Sequence, residues 1–301
     1  MADKQALTFT SSGAKAQYIV LMGLFRLAFL NRYLFGIFTR MLARFCASEN
    51  AVLLSLSTGG QFKIYLNDAY WTRFALYRND YELEVGAIIQ KARGHTDVFC
   101  DLGANKGYWS VFAAPLFRKV FAVEASSATF KILAENTGHL SGVSRRWAAI
   151  YAKSDEELSF VNVHNSHASA RLGDDAGSSD NTETVQTIAI DDLLPAKTMA
   201  LIKLDVEGAE ISAINGARRT LLDGSVLIYE DHGSDMACAP SAHLLGLTGI
   251  RVYSVQNGLK QLHSVDEVLA QKGEKYTGYN FLAGHKDSAL LAGVLEGFAK
   301  P

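Results

Sequence analysis

The sequence predicts an α/β protein built on a mostly parallel, doubly wound sheet, and three stretches carry that prediction. Residues 97–109, Asp-Val-Phe-Cys-Asp-Leu-Gly-Ala-Asn-Lys-Gly-Tyr-Trp, run from a short apolar segment into a turn with two glycines. Val120-Phe121-Ala122-Val123-Glu124 is a second apolar segment that ends in an acid. Leu201-Ile202-Lys203-Leu204-Asp205 is a third, followed by one helical pattern through Ile211, Ile214 and Leu221 to a stop at Gly224. Short apolar runs that alternate with helical periodicity mark buried parallel strands and their crossover helices.

Length and composition fit that class. At 301 residues, 49% apolar and 20% charged, the chain can bury a large α/β core with a smaller attachment. A formal net charge of −2 argues against a generic nucleic-acid binder. The three cysteines, Cys46, Cys100 and Cys238, have no metal-like spacing and point to a reducing cytoplasm, with Cys100 a core residue.

In chain order, residues 1–50 form a basic, apolar helical extension: from Ala14 to Ser48 there are Lys15, Arg26, Arg32, Arg40 and Arg44 and no acid. None of its apolar runs reaches the roughly 20 residues that span a bilayer, and Arg26 interrupts any signal-peptide core. Two readings stand: a pair of packing helices, or an in-plane segment resting peripherally on an anionic membrane surface. Residues 51–93 hold a hairpin, Val52–Ser57 and Phe62–Leu66 around Gly59-Gly60, and a covering helix from Asp80 to Ala92. Residues 94–301 form the main α/β domain. There the expected elements are a helix through Val111 and Phe112 ending near Pro115, a helix capped by Ser126, and a third strand over Trp147–Ile150. Strands over Leu158–Val163 and Val185–Ile190 flank a polar loop, Gly173–Thr184, and a helical turn follows at Asp191–Leu194. Val226–Tyr229, a hairpin around Asn257-Gly258 and Tyr279–Ala283 complete the sheet.

The acids select the cofactor. A dinucleotide loop would read G-x-G-x-x-G, whereas this one reads G-x-x-x-G from Gly103 to Gly107. Asp101, where the first run stops, would repel a pyrophosphate and attract an ammonium. Glu124 is placed to accept two hydrogen bonds from a ribose diol. A ligand with a ribose, an ammonium and no phosphate fits S-adenosyl-L-methionine (AdoMet), a reading that disfavours a dinucleotide oxidoreductase; the alternative is an ordinary βαβ unit with chance acids.

Asp101-Leu-Gly-Ala-Asn105-x-Gly107 and Ile202-Lys-Leu-Asp205-Val-Glu207-Gly-Ala-Glu210 together resemble two motifs of the FkbM family of AdoMet-dependent methyltransferases. Thr187–Leu194 and Val226–His232 are similar to two further family segments, so the likeness runs from about Tyr81 to Leu282. One departure is Ala125, where the family often has proline. The resemblance implies a Rossmann-like seven-strand sheet ordered 3-2-1-4-5-7-6 with one antiparallel strand. It also implies methyl transfer to oxygen, often a sugar hydroxyl of a glycan, glycolipid or natural product.

The candidate cofactor contacts are Glu82, Asp101, Gly103, Ala104, Asn105, Gly107, Tyr108, Glu124, Ala125 and Asp205. Asp205, Glu207 and His232 are the candidates beside the acceptor, where a base must take the hydroxyl proton. Asp205 is the better placed base and His232 the easier one at neutral pH; alternatively Asp205 caps a helix and His232 is a loop residue bonded to backbone. Asp205 with Glu230 or Asp231 is a less favoured Mg²⁺ site. A membrane-associated AdoMet-binding module without catalysis is the competing reading. No nucleic-acid partner is expected.

Overall fold

A computed structural model describes residues 5–27, 32–78, 81–161, 182–206, 208–256, 258–274 and 278–299. The chain divides into two compact units, Met1–Leu83 and Glu84–Pro301.

The first unit runs β1 (Leu7–Phe9), α1 (Ser12–Leu27), α2 (Arg32–Ala43), β2 (Ala51–Ser55), β3 (Gln61–Tyr65) and α3 (Trp71–Tyr77). β2 and β3 form the expected hairpin, antiparallel with Leu54 opposite Phe62. Its turn uses Gly59 at φ 94°, a conformation that costs a glycine nothing. β1 pairs with the other edge of β2, Phe9 opposite Val52, and was not foreseen because three residues carry too little periodicity to read. α3 was also not foreseen; its Trp71 packs edge-on against Phe62 at 5.0 Å and against Tyr81 at 5.4 Å. Two amide hydrogen bonds link α1 to the loops around the hairpin: Asn50 Nδ2 donates to Gln17 Oε1 (2.8 Å), and Gln17 Nε2 to Asn67 Oδ1 (2.9 Å).

The second unit begins with α4 (Leu83–Ala92), β4 (Val98–Leu102), α5 (Tyr108–Ala113), β5 (Lys119–Glu124), α6 (Ser127–Thr137) and β6 (Val143–Trp147). It continues through β7 (Ala149–Ile150), β8 (Glu157–Val161), β9 (Thr182–Ile188), α7 (Ile190–Leu193), β10 (Leu201–Leu204), α8 (Glu210–Asn215) and α9 (Arg218–Leu222). It closes with β11 (Val226–His232), α10 (Ala239–Leu245), β12 (Ile250–Ser254), β13 (Lys260–Leu262), α11 (Val265–Leu269), β14 (Gly278–His285) and α12 (Ala289–Ala299). Its main sheet has the order β13-β12-β14-β11-β10-β4-β5-β6. β4 pairs in parallel with β5 and β10, β10 with β11, and β5 with β6, while β14 is antiparallel to β11 and β12. Read from β6, this is the expected order 3-2-1-4-5-7-6 with an eighth strand, β13, added at the edge. The eighth strand is the return limb of the anticipated hairpin, Val252 opposite Leu262. The fold is therefore the expected doubly wound, Rossmann-like one, with eight strands rather than seven.

Three local expectations are corrected. The third strand of the sheet is Val143–Trp147, not Trp147–Ile150. It has a buried Val143 and four exposed residues after it, an edge strand whose polar Ser-Arg-Arg hides it from a search for apolar runs. Ala149–Ile150 instead enters a small second sheet, β7-β9-β8. The helix expected through Ile211 to Leu221 is two helices, α8 and α9. A side chain on Gly216, between them, would press on the carbonyl oxygen of Tyr151, and Gly216 O accepts from Asp191 N–H at 2.8 Å. The packing of the chain around Tyr151 thus breaks the helix. Finally, β11 continues through Glu230 and Asp231 to His232, so Glu230 lies inside a strand rather than ending one. The polar loop expected over residues 173–184 lies outside the described residues up to position 181. Among the described residues, no helix is long and apolar enough to cross a membrane.

Candidate active site

Register fixes which side chains meet. Leu102 of β4 is level with Val123 of β5 and Leu204 of β10, and Leu204 with Tyr229 of β11. One step further along, Glu124, Gly103 and Asp205 form a row across the carboxyl ends of β5, β4 and β10, level with Glu230 inside β11. Trp147 extends it on the β6 side and Asn280 on the β14 side. One step before the Leu102 row, Asp101 is level with Ala122 and Lys203. Rows two residues apart share a face of the sheet, so Asp101 and Lys203 lie beneath the same crevice as Glu124 and Asp205. The crevice beyond the carboxyl ends is where open α/β sheets bind ligands.

Gly103 is required by a close approach. At φ 77°, any side chain there would collide with the backbone carbonyl of Asp205. The β4 and β10 ends are thereby held together, with Asp205 N–H donating to Leu102 O at 2.9 Å. Gly107, at φ 88°, lets α6 approach, since a Cβ there would lie 2.7 Å from Leu133 Cδ1.

The amides of this turn are all engaged within the protein. Gly103 and Ala104 donate to Val123 O (3.0 and 2.9 Å), Asn105 to Glu124 Oε2 (2.8 Å), Lys106 to Asn105 Oδ1 (2.9 Å) and Gly107 to Ala104 O (2.8 Å). A phosphate-binding loop works by aiming free backbone N–H groups at its anion. This turn offers carbonyls and carboxylates instead, which suits a cationic ligand.

Glu124 ends β5 and is half-buried. Its Oε2 accepts from Asn105 N–H and its Oε1 from Ser126 N–H, both at 2.8 Å. Each oxygen keeps a further lone pair for a ligand donor. Burial pushes this carboxyl up to about 7, against the lowering effect of the backbone hydrogen bonds from Ser126 and Asn105. Beside it, Trp147 is 47% exposed, and its Nε1–H donates to Ala125 O at 2.8 Å. The sequence reading placed no function on Trp147, and the only sign of one would have been an exposed indole at a strand end.

Asp101 is one residue inside the strand end and 1% exposed. Its Oδ2 accepts a 2.6 Å hydrogen bond from Ser110 Oγ. Burial raises its carboxyl above the usual range, with Lys203 and Ser110 pulling it back. Asp101 therefore lies below the turn, in the floor. Ala104 and Tyr108 are also buried, the Tyr108 ring lying 5.0 Å from that of Trp109. Glu82 belongs to the first unit, where its φ is 43°.

Lys203 is the residue sequence reasoning missed. Its side chain is 5% exposed and its Nζ lies 2.8 Å from Asp205 Oδ2. A lone lysine inside Leu-Ile-Lys-Leu was the available signal. Asp205, whose side chain is 27% exposed, is thus one arm of an ion pair. It caps no helix: α8 starts at Glu210 after Ala209, with no side-chain cap. Glu207 lies outside the described residues.

His232 is exposed at the end of β11, and its Nδ1 accepts from Ser234 N–H at 3.1 Å while lying 2.7 Å from Ser234 Oγ. A neutral ring with Nδ1 as acceptor carries its proton on Nε2.

Asp231 is 0% exposed and tied to Lys272 Nζ (2.6 Å) and Ser241 Oγ (2.6 Å). Asp205 and Asp231 each already face an ammonium, so they do not fit Mg²⁺. Among the described residues, no group of three or more His, Cys, Asp or Glu could hold a metal ion.

A doubly wound sheet with this order, and a glycine turn whose amides are all engaged within the protein, are features of a Rossmann-like methyltransferase fold. The family model described as the methyltransferase FkbM domain matches residues 101–273, more than half of the chain. The chain belongs to the FkbM methyltransferase family.

Among solved structures, an FkbM methyltransferase from Methylobacillus flagellatus KT is similar at 14% identity and TM-score 0.40, over 73% of this chain. The chain spans about half, 54%, of that protein's length. A precorrin-6y C5,15-methyltransferase from Geobacter metallireducens GS-15 is similar at 16% identity and TM-score 0.38, covering 67% of this chain and 88% of that one. A Streptococcus mutans protein assigned as a methyltransferase, solved in complex with SAH, is similar at 10% identity and TM-score 0.41, covering 69% and 99%. A search of curated proteins returned no match.

Proposed function

We propose that this chain transfers a methyl group from AdoMet to a hydroxyl oxygen, with a sugar hydroxyl of a glycan, glycolipid or natural product as the acceptor. The observation that carries this reading is Glu124. Both its oxygens are fixed by backbone N–H groups, and its charge is under-solvated enough to push the carboxyl up to about 7. A ribose diol supplies the two donors such a carboxylate needs. Glu124 would hold the ribose, the exposed Trp147 face would lie along the adenine, and the carbonyls of the turn above Asp101 would receive the ammonium. Bound there, AdoMet supplies a methyl group on a sulfonium, which a neutral hydroxyl attacks slowly and an alkoxide-like oxygen attacks quickly.

The chain's own task is to orient that oxygen and take its proton. Asp205 is the candidate base, acting through its Oδ1 while Lys203 holds Oδ2. The proton leaves the acceptor hydroxyl for Asp205 Oδ1 as the oxygen takes the methyl group and the sulfonium becomes a neutral thioether, with Asp101 level with Lys203 in the neighbouring strand. The favoured reading uses no metal.

Incubation with methyl-labelled AdoMet and fractionated lysate tests the proposal. Label in a lipid- or polysaccharide-linked sugar, stable to mild base and released as an O-methyl sugar on acid hydrolysis, is the expected result. Label on nitrogen or carbon, or AdoMet binding without any transfer, would overturn it.

A further inference from the structure

The first unit presents a surface that solvent alone does not explain. On α2 and the turn after it, Phe38, Met41 and Phe45 are 38%, 53% and 86% exposed, while Thr39 is buried at 1%. Phe38 and Met41 are one turn apart on α2 and so share a face, and Phe45 follows in the turn after the helix. Arg40 and Arg44, both exposed and one turn apart, run beside that stripe. α1 repeats the inversion: Ile19 and Val20 are 61% and 49% exposed between exposed Lys15 and Arg26. No aspartate or glutamate occurs from Gln5 to Ser48, although five lysines and arginines do.

We infer that the Phe38–Met41–Phe45 stripe and its flanking arginines seat the protein on an anionic lipid surface. The charge pattern selects that occupant. A self-association face would bring the exposed Lys15, Arg26, Arg40 and Arg44 against the same four cations, in a stretch with no acid from Gln5 to Ser48. An anionic headgroup layer meets the arginines while the rings and the methionine enter the acyl boundary. Each basic residue near such a surface contributes about fivefold in partition, and a fully inserted phenylalanine about tenfold or more. The geometry needs no membrane-spanning segment. It is also independent of the methyl-transfer reading, since neither the stripe nor the assay below involves the crevice.

The test is flotation of the full chain with phosphatidylcholine vesicles, with and without 30% phosphatidylserine, at low and high salt. The inference expects binding only to the anionic vesicles and release at high salt. R40Q/R44Q should weaken binding about 30-fold, and F45S about tenfold or more. All these positions are exposed, so circular dichroism and the melting temperature should be unchanged. Equal binding to neutral vesicles, no binding to either, or wild-type binding by both variants would overturn it. So would a concentration-dependent dimer in light scattering that F45S dissolves.

Discussion

The pH dependence of ligand capture follows from Glu124. Its carboxyl stands at about 7 in the free protein instead of its ordinary 4.5. A raised carboxyl is stabilising while protonated: its contribution is fully present below pH 4.5 and lost as pH rises through about 7. That loss amounts to about 3 kcal/mol. Ribose hydroxyls donating to the ionised form return that energy on binding, so affinity should climb across the same window. At pH 5.5 a group titrating near 7 is only about 3% ionised, and at pH 8 about 90%, so affinity should rise about 30-fold between them. A nucleoside such as 5′-methylthioadenosine is the right probe, because it has the diol and no amine titrating in this range. Calorimetry in two buffers of different protonation enthalpy should show about half a proton released per ligand at pH 7. Glu124→Gln should flatten the profile and weaken binding at pH 8 by about 1–3 kcal/mol. An affinity independent of pH from 5.5 to 8, or a slope that survives in Glu124→Gln, would refute the placement of the ribose on Glu124.

Four other perturbations probe the rest of the unit. Asp205→Asn preserves shape and removes the charge opposite Lys203; turnover should fall about 10²-fold or more with AdoMet affinity nearly unchanged, and full turnover would remove Asp205 as the base. EDTA should not inhibit and Mg²⁺ should not stimulate the wild type. Gly103→Ala combines a left-handed φ with a collision against the Asp205 carbonyl, so thermal melting should report a loss of about 3 kcal/mol or more. Lys272→Met leaves Asp231 charged and buried; denaturant titration should register a cost of about 3–5 kcal/mol, largely recovered in Lys272→Met/Asp231→Leu.

How much could be read in advance depends on range. The apolar runs at Val98, Val120, Leu201 and Val226 announce buried strands because burial on both faces needs a local run of apolar side chains, which the chain carries within itself. Glu124 ended its strand as expected, and Ser126 accepts from Thr129 N–H at 3.4 Å as the cap of α6. The glycines of the first turn stood out because their backbone conformations exclude other residues. Strand order followed from the resemblance, not from the composition.

Tertiary structure decided what depends on neighbours distant in sequence. Asp205 read as a helix cap or a base from its own surroundings. Only the register of β4 against β10 puts Lys203 beside Asp101 and turns three separate residues into one charge row. β6 escaped notice because an edge strand needs apolar residues on one side only, and the sheet supplies what its sequence lacks. α8 and α9 are two helices because the Tyr151 carbonyl lies against Gly216, a contact set by a chain segment some 65 residues away. His232 has the composition of a base, and only the folded chain shows that its Nδ1 is engaged by Ser234 N–H. Local chemistry is written residue by residue, whereas the pairing that sets protonation and charge is a property of the folded sheet.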